Sequence, residues 1–317
     1  MLNREQLAQF ENEGFLVVED VLDTENTLAP VIREYEAIAA RLRTQWIAEG
    51  RLDPAAPADR FEDFILSTYR AGLDYFQPMD ISLPGGEITA DMPFHAGPAV
   101  FGLLTDERLL DVVESLIGPE ITSNPIQHVR IKPPAVQLDD SEIRAHITAT
   151  HWHQDRAVAL KEADRTRMVT AWVAVTDATV ENGCLQVIPG SHRGPMLLHC
   201  PKPQAAIPGA LVDATAARPL PVKSGGVILF HPMTIHGSLA NTSDQIRWSF
   251  DLRYNVTGEP TGRPAFPEFV ARSRAAPGTV LKDWREWRTR WEAARARLAS
   301  EPPLALHRWS EDAALCA

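Results

Sequence analysis

Two short segments, far apart in the chain, carry side chains that could bind a metal ion. Residues 150–155 read THWHQD and contain His151, His153 and Asp155, and residues 231–238 read HPMTIHGS and contain His236. Alternate side chains of an extended segment share a face, so we expect His151, His153 and Asp155 on one side. With 10 histidines and 42 acidic residues, about one His-x-acid pair is expected by chance. The pair at residues 153 and 155 therefore indicates a metal site only together with His236, the third candidate ligand.

A third segment, residues 245–254, alternates between apolar and polar side chains. Its apolar members are Ile246, Trp248, Phe250, Leu252 and Tyr254, and its polar members are Gln245, Arg247, Ser249, Asp251 and Arg253. This period of two predicts a strand whose polar face lines a pocket or meets solvent. If a hairpin is centred between residues 241 and 242, His236 and Arg247 are cross-strand partners with Cβ atoms about 5 Å apart.

This combination of residue types suits one kind of metal chemistry. Two histidines and one carboxylate leave a face of an octahedral ion open, the arrangement of non-haem Fe(II) oxygenases. A bidentate 2-oxo acid would take two open positions and O₂ the third, and an arginine would pair with the acid's distal carboxylate. We predict His153, Asp155 and His236 as iron ligands and Arg247 as the anchor of the 2-oxo acid. Two alternatives stay open. A metal-dependent isomerase or hydrolase on a cupin-like barrel would need the three ligands but not Arg247. A catalytically silent binding protein would be expected to have lost one of the ligands.

The elements around these residues change character along the chain. Asn3 and Gln6 form a capping box with Gly14 as a stop, and helical spacing recurs over residues 23–46 and 106–118. From residue 121, short β-type runs predict a sandwich or barrel of antiparallel strands. The predicted strands are 126–132, 146–155, 168–176, 184–188, 226–230, 234–239 and 245–254. A final helix, with Leu281, Trp284, Trp287, Trp291 and Leu298 on one stripe, is expected to pack on the sheet.

Composition limits the organisation and the partners. The 317 residues fit a single domain, with a helical part at 1–120, a strand core at 121–255 and a C-terminal extension at 256–317. A net charge of −11 disfavours nucleic acid and anionic membranes, so we expect a small-molecule substrate and a monomer or homodimer. Three cysteines without a C-x-x-C pair, and no export signal at the N-terminus, predict reduced thiols and a cytoplasmic location.

The order of these motifs resembles the phytanoyl-CoA dioxygenase family of Fe(II)- and 2-oxoglutarate-dependent oxygenases, which includes ectoine hydroxylase. The matching text is FENEGFLVV at 10–18, WHQD at 152–155, NGCLQVIPGSH at 182–192, HGS at 236–238 and Arg247. The resemblance implies a mainly β, α+β fold: a double-stranded β-helix (a cupin-like jelly roll) with N- and C-terminal helices packed on one sheet. It also implies Fe(II) on His153, Asp155 and His236, with 2-oxoglutarate and O₂ as co-substrates.

The same resemblance implies further pocket residues. Trp172 should lie beside the oxo acid, Ser238 should help to hold its distal carboxylate, and Gln127 and Lys132 occupy positions that often line the pocket. Halogenating relatives replace the carboxylate ligand with a small residue, so Asp155 disfavours halogenation, and the expected reaction is hydroxylation or another oxidation of an unactivated C–H bond.

Nothing in the sequence favours a CoA thioester, and we expect a small polar metabolite or natural-product intermediate. His151, Asp251 and Arg253 are candidate substrate contacts. An internal ion pair of Asp251 and Arg253 is the alternative.

Overall fold

The computed structural model describes residues 1–134, 150–201, 206–306, 308 and 313–316. The helices are α1 (Arg4–Glu13), α2 (Ala29–Ala48, preceded by a π-helical turn at Thr24–Leu28), α3 (Phe61–Arg70), α4 (Phe76–Met79), α5 (Pro98–Leu104), α6 (Glu107–Ile117) and α7 (Trp284–Leu298). The strands are β1 (Phe15–Val18), β2 (Ile121–Lys132), β3 (Met168–Ala174), β4 (Leu185–Val187), β5 (Arg218–Leu220), β6 (Val227–Phe230), β7 (His236–Ser238), β8 (Arg247–Val256) and β9 (Phe269–Arg272).

The strands form two antiparallel sheets. The larger has the order β1-β6-β3-β8-β2-β9, and the smaller has the order β5-β4-β7. A hydrogen-bonded bridge between His153 and His236 extends the smaller sheet toward residues 150–153. The predicted α+β fold with antiparallel sheets and flanking helices is confirmed.

Strand β8 separates the main core from the space between the sheets. Trp248, Phe250, Leu252 and Tyr254 belong to the main core, which the helices cover. A second apolar cluster, which includes Trp172, Leu185 and Phe230, fills part of the space between the sheets. The alternation in the sequence therefore gave the correct faces of β8.

The pairing of β2 with β8 contains an irregularity next to this space. Asn124 pairs with Arg253, but the next paired residue of β2, His128, is opposite Asp251. Residues 125–127 thus face only Leu252, so β2 holds two extra residues there. Beyond this irregularity Lys132 is opposite Arg247 and His128 is opposite Asp251, so each pair shares one face of the sheet.

Several helix predictions are confirmed by their end residues. Asn3 and Gln6 form the capping box of α1, and Gly14 ends the helix with a φ of 80°. Asp106 caps α6, and Gly118 ends it. Helix α7 buries Trp287, Trp291 and Leu298 of the predicted stripe, whereas Trp284 is only half-buried and the buried Leu281 precedes the helix. No helix in the described part of the chain has the length and apolar composition needed to span a bilayer.

Two strand predictions are wrong. Residues 146–149 of the predicted strand 146–155 lie outside the described residues, and residues 150–155 form only the His153 bridge before a 3₁₀ turn begins at Asp155. The predicted hairpin is also absent, because β7 and β8 belong to different sheets. Asn241 holds the connection between them by donating its amide to the carbonyls of Lys132 (3.2 Å) and Gln245 (2.7 Å). His236 and Arg247 are therefore not cross-strand partners.

The prediction of three reduced cysteines is wrong as well. Cys200 and Cys316 form a disulfide with Cα atoms 5.3 Å apart, and Cys184 is free and buried. The two partners are 116 residues apart in sequence, and only the folded position of the C-terminal residues brings them together. Neither the odd number of cysteines nor the missing C-x-x-C pattern indicates whether two distant cysteines meet in the folded chain.

Candidate metal centre

His153, Asp155 and His236 converge at one point between the two sheets. Their ligand atoms all lie within 4.8 Å of one another. Nε2 of His153 and Nε2 of His236 are each 3.8 Å from Oδ1 of Asp155. The bridge between residues 153 and 236 sets this geometry, because it places the two imidazole rings with centroids 4.1 Å apart.

Backbone carbonyls orient both imidazoles. Nδ1 of His153 is 2.9 Å from the carbonyl oxygen of His151, and Nδ1 of His236 is 2.9 Å from that of Thr234. A carbonyl only accepts, so each Nδ1 carries the proton and each Nε2 has a free lone pair. This is the tautomer that a metal-binding histidine requires.

The two imidazoles are neutral at physiological pH. Burial, followed by the neighbouring His236, lowers the pKa of His153 to about 4. Burial also lowers the pKa of His236. Both rings are therefore available as ligands without loss of a proton.

Asp155 is ionised and held from two sides. Its side chain is 1% exposed, and such burial acts to raise the pKa of the carboxyl group. The Arg253 charge, the two histidines and the Thr170 hydrogen bond outweigh burial, so the pKa of Asp155 lies well below its usual value. Arg253 donates Nη2 to Oδ1, and the hydroxyl of Thr170 donates to Oδ2 at 2.6 Å. The donor set fits iron: two neutral imidazole nitrogens and one ionised carboxylate on one side of a common point.

A second polar cluster surrounds Arg247. The Arg247 Cζ lies 5.1 Å from the ring centroid of Trp172, and its Nη1 donates to the Ser249 hydroxyl at 3.1 Å. Lys132 is directly opposite Arg247 in the β2–β8 pair, and its Nζ donates to the Ser238 hydroxyl and the Leu239 carbonyl, both at 2.7 Å.

Neither of these buried cations has an acidic partner within 4 Å among the described residues. Nε of Arg247 has no hydrogen-bond partner. Burial, with Arg130 also contributing, lowers the pKa of Arg247 to about 10, and burial together with Arg247 lowers the pKa of Lys132 well below its usual value. Within the described part of the chain, the cluster therefore lacks an acidic partner.

The remaining predicted residues divide into buried and exposed ones. Gln127 is buried, donates Nε2 to the Ile81 carbonyl at 3.3 Å, and leaves Oε1 without a partner. Oδ1 of Asp251 is also buried and unpartnered, and Oδ2 lies 3.6 Å from Nη2 of Arg253. His151 is exposed and does not share the buried face of Asp155, because the chain is not a regular strand there.

Sequence reasoning missed two contributors. Thr170 was not predicted, although the alternation that places Trp172 inside the barrel also places Thr170 there. Arg253 was considered only as a substrate contact or as a partner of Asp251. Its bond to Asp155 joins β8 to the turn that begins at residue 155, and no local pattern connects those two places.

Comparison with known proteins agrees with this geometry. A family model described as phytanoyl-CoA dioxygenase matches residues 10–249. A Caenorhabditis elegans protein called probable phytanoyl-CoA dioxygenase is 28% identical over 272 residues, which cover 75% of this chain and 84% of that protein.

Two solved structures share the fold. EctD from S. alaskensis, solved with 2-oxoglutarate and 5-hydroxyectoine, has a TM-score of 0.54 at 20% identity and covers 98% of this chain and 87% of its own. The epimerase SnoN, solved with Fe³⁺, alpha ketoglutarate and nogalamycin RO, has a TM-score of 0.51 at 22% identity and covers 81% and 86%.

Proposed function

This chain belongs to the phytanoyl-CoA dioxygenase family, and on that premise we propose that it is an Fe(II)- and 2-oxoglutarate-dependent dioxygenase. The reaction we propose is hydroxylation of an unactivated C–H bond in a small polar metabolite or natural-product intermediate, with release of succinate and CO₂. The observation that carries this proposal is the presence of two sites: a set of two neutral histidines and a carboxylate, and the buried Arg247 and Lys132, which have no acidic partner within 4 Å among the described residues.

The ligand set would hold iron through Nε2 of His153, Oδ1 of Asp155 and Nε2 of His236. Iron bound there supplies the oxidising chemistry of the reaction. Asp155 argues for hydroxylation against halogenation, because a chain that keeps its carboxylate leaves no ligand position for chloride.

The Arg247 cluster would hold 2-oxoglutarate. Its distal carboxylate supplies the missing anion, and the planar guanidinium can accept it with two parallel hydrogen bonds. Lys132 fixes the Ser238 hydroxyl with a hydrogen bond, and Trp172 forms the wall against which Arg247 lies. These residues bind and orient the co-substrate and exclude water from it.

A cupin-type isomerase or hydrolase would use the same three ligands. It would have no need of a buried, unpaired Arg247, so the Arg247 cluster favours the oxygenase. The fold neighbours include an epimerase, and the reaction outcome is therefore part of the test.

The deciding experiment is an anaerobic titration of Fe(II)-loaded protein with 2-oxoglutarate, followed by its visible charge-transfer band. We expect a saturable band that an Arg247→Met variant weakens. Succinate release with a metabolite panel then finds the substrate, and the product mass separates hydroxylation (one added oxygen) from epimerisation (no change). A protein that binds Fe(II) but shows no band with 2-oxoglutarate contradicts the proposed function.

The partners remain part of the proposal. The net charge of −11 supports a small-molecule substrate and a monomer or homodimer without nucleic acid or a membrane. We also propose a cytoplasmic location. The disulfide argues against it, because disulfides persist mainly in oxidising compartments. The test is to lyse the cells in acid, which stops thiol exchange, and to count the free thiols of the protein. Three free thiols support a reducing compartment, and one free thiol contradicts it.

A further inference from the structure

Arg263 lies in the segment after β8, directly after a glycine that packs against the turns following Asp155. The carbonyl of Gly262 accepts a hydrogen bond from the backbone amide of Leu160 at 3.0 Å. A Cβ added at Gly262 would meet Ala159 at 2.6 Å and Ala163 at 3.0 Å. The backbone before Arg263 is therefore packed against the turns that follow Asp155.

The guanidinium of Arg263 is buried, and the described residues supply no counter-ion for it. The residue is 5% exposed, and its Nε has no hydrogen-bond partner. In the described part of the chain, no acidic group lies within 4 Å of Arg263, whereas Arg253 has Asp155 and Arg272 has Glu114. Burial, with the charge of Arg253 adding to it, lowers the pKa of Arg263 to about 9, so the group is still positively charged at neutral pH.

An unpaired buried charge is costly, and binding an anion removes the cost. The anions already assigned in this region have their partners: Asp155 accepts from Arg253 and Thr170, and the carboxylate of 2-oxoglutarate belongs to Arg247 and Lys132. Arg253, which is bonded to Asp155, is also the charged group that acts on Arg263. With Arg247, Lys132 and Arg253, Arg263 is thus the fourth basic side chain of this buried polar region, and among the described residues it has no acidic partner within 4 Å.

We propose that Arg263 is the binding group for a carboxylate of the substrate. This inference rests on the proposed function and narrows its substrate class to carboxylic acids. A single carboxylate matches the guanidinium in shape and charge, and the acidic balance of the chain opposes a polyanion such as a nucleotide thioester.

The first test is a thermal-shift titration of the Fe(II)- and 2-oxoglutarate-loaded protein under argon. The probes are acetate, benzoate, their primary amides and phenyl phosphate. We expect at least one carboxylate to raise the melting temperature while its amide does not. In Arg263→Met the dissociation constant of that carboxylate should rise at least tenfold, and in Arg263→Lys, which keeps the charge but not the planar fork, it should rise less. Arg167→Met, which removes an exposed arginine paired with Glu259, is the control and should respond like the wild type.

Three results would overturn the proposal: no response to either carboxylate, equal responses in wild type and Arg263→Met, or a response to phenyl phosphate alone. The proposed function is tested on its own by the change in melting temperature that 2-oxoglutarate causes when no probe is present. If that shift is missing, the carboxylate titration is repeated with metal-free protein in an Arg247→Met background, where Arg263 is still expected to account for the response.

The stability of the variants without any ligand is a second, independent test. Removing a buried charge that has no partner breaks no ion pair, so Arg263→Met should melt at or above the wild-type temperature. Arg253→Met, which leaves Asp155 without its partner, should melt lower. A clear loss of stability in Arg263→Met would mean that the guanidinium has a structural partner and would overturn the proposal.

Discussion

Arg253 donates Nη2 to the same oxygen of Asp155, Oδ1, that lies 3.8 Å from Nε2 of both His153 and His236. The other oxygen of that carboxylate accepts the hydroxyl of Thr170. The carboxylate is thereby fixed with one oxygen toward the imidazoles, which favours binding of a metal ion through that oxygen alone.

Loss of this contact should weaken metal binding without removing a ligand. In Arg253→Met we expect the affinity for Fe(II) to fall about 10- to 100-fold, the usual effect of changing a group that supports a ligand. Competition with a chromophoric chelator under argon measures it. Thr170→Val, which removes one neutral donor, should cost only about 1 kcal/mol of binding free energy. Wild-type affinity in Arg253→Met would contradict the role given to the ion pair.

The ligands themselves can be separated from a neighbouring histidine. His153→Ala removes an imidazole from the set, and we expect stoichiometric Fe(II) binding to be lost. His151→Ala is the matched control, because the side chain is exposed and the carbonyl that orients His153 belongs to the backbone. Metal content after anaerobic loading and desalting measures both, and loss of iron in His151→Ala would contradict the assignment.

Arg247 should affect the co-substrate and not the metal. In Arg247→Met we expect the KM for 2-oxoglutarate to rise at least tenfold, because a buried carboxylate would lose its paired charge. Fe(II) binding should stay within twofold of the wild type. Arg288→Met, on the exposed surface of α7, serves as the control. An unchanged KM would place the anchor elsewhere.

Much of this site could be predicted from residue types and spacing. The alternation over residues 245–254 correctly put Arg247, Asp251 and Arg253 on one face because β8 is a regular strand with a covered apolar side. The same reasoning failed for residues 150–155, where only His153 forms a bridge and a turn begins at Asp155. The HxD spacing still brings two ligand atoms together: Nε2 of His153 lies 3.8 Å from Oδ1 of Asp155, although a 3₁₀ turn begins at residue 155.

The features that could not be predicted from the sequence depend on contacts between distant elements. Strand β1 is short, and residues 15–18 are uniformly apolar, so period two gave no signal there. Asn241 spans the gap between the sheets, and the Cys200–Cys316 bond depends on where the C-terminal residues lie. Each of these follows from the packing of whole elements, which a local pattern does not contain.

Outside the metal centre, Glu34 connects α2 to the start of α5. Its side chain is 14% exposed and lies 2.7 Å from Nε2 of His95, and it accepts the backbone amides of Ala99 (2.8 Å) and Val100 (3.3 Å). Burial acts to raise the pKa of Glu34, but the His95 and amide hydrogen bonds outweigh it and lower the pKa.

Glu34→Gln should therefore lower the free energy of unfolding at neutral pH by about 1–2 kcal/mol, the usual value of a helix cap. A folded-state pKa below the unfolded one contributes stability above the unfolded pKa of 4.5, and that contribution is lost as the pH falls through the folded value. The difference between wild type and variant should thus shrink as the pH falls from 4.5 through the lowered pKa of Glu34. Urea denaturation at several pH values below about 5 measures it, and a difference that does not shrink over this acidic range would refute the assignment.

The two additional residues in β2 have a consequence for how the chain tolerates changes in length. The extra residues are on β2 alone, between the pairs Asn124–Arg253 and His128–Asp251. If one of them is deleted, the stretch can still close as a one-residue bulge, with Lys132 opposite Arg247 as before. We therefore expect β2 to tolerate a one-residue deletion between 124 and 128 better than a deletion within the continuously paired residues 128–132.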